Sequence, residues 1–163
     1  MVRIILVLSL VVLQAVFGAP DYLLGSGSYW LRALTYSFFH AGWWHLAVNV
    51  IAVWTIFVPS RKCNCLHFVM GCIIALLVYP LSFRPVIGFS NVLYAVLGLR
   101  TPSLGSRWWK QPAVIVFLLV TLAMALIPRI SATTHIAAFL LGMAGAAVKR
   151  TYLELTKDAR RYL

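Results

Sequence analysis

Acidic side chains are almost absent from this sequence. There are three, Asp21, Glu154 and Asp158, and none lies in an apolar segment. The shortage removes whole classes of chemistry. An intramembrane aspartyl protease needs a pair of carboxylates in its spans, and an H-E-x-x-H zinc protease needs a Glu between its histidines. Neither set can be assembled here. Charge of either sign is sparse, at 10% of 163 residues, where a soluble domain carries about 25%. Cysteine is scarce and odd in number, at Cys63, Cys65 and Cys72, so no disulfide framework is implied. Cys63, Cys65 and His67 form a C-x-C-x-H string, but no second cluster accompanies it. These cysteines read as thiols at a cytosolic membrane face, and no metal or cofactor is expected.

What is present is apolar surface, at 63% of the chain. Water cannot solvate that composition around one small core, whereas a bilayer accommodates it in spans of roughly 20 residues each. The expected fold class is an all-α polytopic membrane protein, one domain over residues 1–163. Six apolar segments can be drawn, at 4–18, 43–58, 66–81, 90–99, 113–127 and 134–148, and a basic cytosolic tail follows at 149–163. The first resembles a signal peptide, but Phe17 occupies a position where cleavage wants a small residue and Pro20 would follow the cut. An uncleaved first helix is therefore expected. The aromatic-rich stretch with Tyr29, Trp30, Tyr36, Phe38 and Phe39 reads as a loop in the outer headgroup region.

The net charge of +11 could suggest nucleic acid, but the basic residues are scattered in short loops between apolar runs. That is the pattern of positive-inside topology, so the bilayer is an expected partner and nucleic acid is not. Of the 14 Lys and Arg residues, only Arg32, Arg84 and Arg129 fall on the far side of the six-span alternation. Both termini are thereby expected in the cytosol. The fourth segment is half a bilayer long, so it is expected to start inside the membrane, at the floor of a water-reached cavity.

Polar groups in spans are costly and mark candidate sites. Three clusters stand out. His45 and Asn49 are four apart and share a helix face, with His40 just before the helix. They read either as interface histidines with a packing Asn, or as N–H donors aimed at one point, an oxyanion hole. Ser90 opens the short fourth segment two residues after Gly88, and Tyr94 and Gly98 follow on the same face. A serine there is either an N-cap or a hydroxyl beside the free N–H groups of a helix start. His135 opens the last span, with Ala138 and Gly142 on its face as small residues for close helix packing. All three clusters enter from one membrane side. A Ser beside a His is the minimal activated nucleophile. Without a carboxylate in the spans the pair would act as a dyad, and Tyr94 is the aromatic best placed to stack on His135.

At these residues the chain resembles the rhomboid family of intramembrane serine proteases. The H-x-x-x-x-H-x-x-x-N element is matched by His40, His45 and Asn49. The G-x-S element is matched by Gly88, Phe89 and Ser90, with the downstream Tyr and Gly at Tyr94 and Gly98. The last-helix element is matched by His135, Ala138 and Gly142. The resemblance implies a six-helix bundle with a short fourth helix. It also implies hydrolysis of a peptide bond in or next to the transmembrane helix of single-span membrane-protein substrates. Ser90 would be the nucleophile and His135 the base, with His45, Asn49 and the Ser90 N–H on the oxyanion. The expected location is a bacterial cytoplasmic membrane, with the site open to the outer face. Two positions depart from the family pattern. Ala138 stands where a Gly is common, and Asn91 stands where a Gly usually follows the serine. Asn91 is expected to crowd the helix start or alter the oxyanion pocket. That departure leaves open an inactive rhomboid-like protein that binds client helices. A small transporter or channel using the polar cluster as a pathway is the second rival.

Overall fold

The computed structural model describes residues 2–19, 28–57, 63–82, 86–101, 107–125 and 132–159. Among them all regular structure is helical. In chain order the α-helices are α1 (Val2–Phe17), α2 (Tyr29–Thr35), α3 (Trp43–Ile56), α4 (Cys63–Val78), α5 (Ser90–Arg100), α6 (Pro112–Ala125) and α7 (Ala132–Ala159). Short 3-10 turns lie at Tyr36–Phe38, Tyr79–Leu81 and Trp108–Lys110. The ends of the helices follow local chemistry. Gly18, at φ +60°, donates to the Gln14 carbonyl and closes α1. Pro80 lies in the turn that ends α4, and Pro112 opens α6, where its missing N–H costs nothing.

The core is built around α5. Every residue from Asn91 to Gly98 is buried, the pattern of a helix enclosed on all sides. Its most extensive neighbours are α7 and α4. The α5–α7 crossing is backbone against backbone. A Cβ on Gly98 would strike the Phe139 carbonyl oxygen, and one on Gly142 would strike the Ala95 carbonyl oxygen. Ala138, beside them, is fully buried. α1 packs along α3, where the Arg3 guanidinium lies 4.2 Å over the Trp54 ring.

The outer faces are the reverse of a soluble protein's. Leu8, Val12, Ile51, Leu77, Leu119, Leu122 and Leu140 are all exposed. Apolar patches on that scale mark a non-aqueous surrounding or a large interface. Among the described residues one helical window, Ala132–Tyr152, is long and apolar enough to cross a membrane. Arg3–Phe17, Trp43–Ile56, Cys65–Leu81 and Val114–Ala123 are shorter apolar helices. The last helix does not stop at Val148 but runs on to Ala159. Arg61, Lys62, Arg84, Arg129, Arg160 and Arg161, all used in the charge count, lie outside the described residues, as do Asp21, Pro20 and the ends of two segments at Val58 and Ile127.

The segment before His40 differs from the expected headgroup loop. It forms α2 and a 3-10 turn, and Tyr36 is in the core, only 1% exposed. Trp30 and Trp44 do face outward.

Candidate active site

The turn that delivers Ser90 depends on Gly88. Its φ is +122°, a conformation that L side chains rarely adopt. A Cβ there would also lie 2.5 Å from His45 Cε1. The turn is held from outside, since the Gly88 N–H donates to the Tyr36 carbonyl at 2.9 Å. Ser90 is then the first residue of α5, where backbone N–H groups lack intrahelical partners. An alanine at Gly88 combines strain with a collision against the neighbouring imidazole. With Ser90 as a nucleophile, Gly88→Ala is expected to lower activity by about 10²-fold, the cost of a misplaced reacting group. A proteolysis assay on protein that still purifies folded would check this.

The hydroxyl of Ser90 lies 2.7 Å from His135 Nε2, and the two residues sit on the first turns of α5 and α7. The glycine-lined crossing brings these helices close enough for that contact. His135 is 3% exposed, and its Nδ1 has no hydrogen-bond partner among the described residues. Among the described residues no carboxylate or carbonyl orients the ring. Tyr94 does so by stacking, with ring centroids 4.8 Å apart and planes tilted by 30°. Tyr94 is itself anchored. Its hydroxyl donates to the Phe117 carbonyl of α6 at 2.9 Å and also contacts the Thr121 hydroxyl.

The other polar residues gather at the same place. The Ala41 N–H points at His45 Nδ1 at 3.4 Å, so a neutral His45 carries its proton on Nε2, at the ring edge that faces Gly88. Asn49 donates from Nδ2 to the His45 carbonyl at 2.9 Å. That nitrogen carries a second hydrogen which this bond does not use. His40 lies beside rather than in the cluster. It is fully buried, edge-on to His45, with Nε2 3.5 Å from the Phe89 N–H. Burial pushes its imidazole down to about 3, and the neighbouring His45 adds to the effect. His40 is thus neutral at physiological pH and able to accept that N–H.

Between α3 and α6 a cleft of about 520 Å³ reaches this point. Val48, Ile51, Leu93, Val116 and Val120 line it, with His45, Asn49, Ser90 and Tyr94 at one wall. A rhomboid domain model matches residues 27–151. The chain belongs to the rhomboid family. No curated protein and no solved structure matches it. Rhomboid proteins are integral membrane proteins and generally serine proteases, which agrees with the apolar exterior seen here.

Within the rhomboid frame, Asn91 corrects the expectation drawn from sequence. Its side chain does not line the cleft. It is buried and donates from Nδ2 to the Tyr36 hydroxyl at 3.0 Å. Tyr36, Phe117 and Thr121 were not marked as site residues by sequence. Each acts through a contact between distant segments, which no spacing pattern announces. Among the described residues no group of three His, Cys, Asp or Glu is placed to hold a metal ion.

Proposed function

We propose that the protein is an intramembrane serine endopeptidase that cleaves single-span membrane proteins in or next to their transmembrane helix. The carrying observation is the 2.7 Å contact between Ser90 Oγ and His135 Nε2 at the wall of an apolar cleft. In this reading α1, α3, α4, α5, α6 and α7 are the six crossing segments, and α5 is short at 11 residues, or about 16 Å. Both termini are cytosolic and the site opens to the outer face of a bacterial cytoplasmic membrane.

The substrate helix enters from the lipid between α3 and α6, where the apolar lining matches it and the bilayer supplies no competing polar groups. Ser90 attacks the scissile carbonyl carbon as His135 Nε2 takes the hydroxyl proton. The oxyanion lies among the Ser90 N–H, the Nε2–H of His45 and the remaining Nδ2 hydrogen of Asn49. Collapse of this intermediate breaks the C–N bond, and the departing amine takes the proton from His135. Water from the outer side then hydrolyses the acyl-enzyme by the same route, with His135 again as base.

The reading of an inactive client-binding protein rested on Asn91, and that side chain is turned to Tyr36. A serine-directed fluorophosphonate applied in detergent tests the nucleophile. We expect the wild type to be labelled and Ser90→Ala to be blank. Equal labelling of the two would remove Ser90 from its role.

A further inference from the structure

Ser90 is flanked by residues that all lean on one short segment, Tyr36 to His40. Gly88, two residues before it, donates its N–H to the Tyr36 carbonyl at 2.9 Å. The N–H of Phe89, one before, faces His40 Nε2 at 3.5 Å. Asn91, one after, donates from Nδ2 to the Tyr36 hydroxyl at 3.0 Å. Tyr36 in turn donates its single hydroxyl hydrogen to the Ala75 carbonyl of α4 at 2.8 Å. That settles the orientation of the Asn91 amide. A hydroxyl whose hydrogen is committed can only accept, so the NH2 of Asn91 must face it. Tyr36 is held further by the Tyr79 ring, at 4.9 Å between centroids.

We infer that Asn91 and Tyr36 form a positioning clamp that fixes the Ser90 turn against α4. The inference rests on Ser90 being the nucleophile. In this role the side chain at position 91 contributes a third hold on the turn that a glycine there could not make. Neither residue touches the reacting atoms, because both are buried away from the cleft. Their effect passes through the placement of Ser90 Oγ relative to His135, and misplacement of a reacting atom on the scale of 1 Å can cost about 10²-fold. Losing one of three holds is a smaller disturbance.

The test compares wild type, Ser90→Ala, Asn91→Gly, Asn91→Leu, Tyr36→Phe and the double variant Asn91→Gly/Tyr36→Phe, cleaving a single-span test substrate in proteoliposomes. Asn91→Leu keeps the branched shape, at a larger volume, and removes the donor. We expect each single variant to lose about tenfold in kcat with KM little changed. The double variant should be no worse than Tyr36→Phe alone, since that change already breaks the Asn91–Tyr36 bond. Asn91 variants that cleave as fast as wild type, or faster, would overturn the clamp, as would losses that multiply in the double variant. If Tyr36→Phe does not purify folded, the two Asn91 variants decide. Wild type no more active than Ser90→Ala would instead sink the protease reading, and the clamp with it.

Discussion

Alanine in place of Ser90 is expected to abolish cleavage of a single-span substrate in proteoliposomes, and alanine in place of His135 to do the same. Removing either member of a nucleophile–base pair costs about 10⁶-fold. The two act as one unit, so the double variant should be no slower than either single one. The structure gives a reason to expect the dyad to be this sensitive. Among the described residues His135 Nδ1 has no partner, so the contacts that set the ring there are Tyr94 stacking and Ser90. Asn49→Ala gives the contrast. On the proposed mechanism it removes one oxyanion donor and should slow cleavage by about 10²–10³-fold, leaving measurable product. Comparable residual rates for Ser90→Ala, His135→Ala and Asn49→Ala would contradict the assignment of roles.

The largest stability effect is expected at the α5–α7 crossing. Gly98→Val and Gly142→Val each place carbon where the opposing helix has a carbonyl oxygen. A side chain can turn aside, but backbone cannot, so the helices must separate. Overpacking costs about 1–3 kcal/mol even where side chains can adjust, and here the upper end or beyond applies. At about 2–4 °C per kcal/mol for a chain of this size, the midpoint should fall by on the order of 10 °C. Separation also moves Ser90 from His135, so activity should be lost even in protein that stays folded. Gly145→Ala is the control. On the same helix, its Cβ would meet only the Leu99 Cδ2 atom at 3.4 Å, an ordinary contact. A thermal melt in detergent separates these cases, and a Gly98→Val midpoint equal to that of Gly145→Ala would refute the close-crossing argument.

The membrane character, the helical class and the family were legible because each depends on local or summed properties. An apolar excess with three carboxylates needs no coordinates to exclude a soluble fold or an intramembrane aspartyl site. Ser90, Tyr94 and Gly98 share a face because helical period dictates it, and the same holds for His135, Ala138 and Gly142. The aromatic stretch misled for the same reason. Tyr36 carries the composition of an interface belt, and composition does not say which aromatic turns inward.

The sequence by itself therefore determined what kind of solvent the protein lives in and which polar residues had to be accounted for. Only the tertiary structure decided how they meet. Ser90 and His135 are 45 residues apart, and Asn91 and Tyr36 are 55 apart. Contacts over such separations come from the way helices cross, which periodicity within one helix does not encode. That is why the contact between Ser90 and His135, the α3–α6 cleft, and the turn of Asn91 toward Tyr36 come only from the tertiary structure.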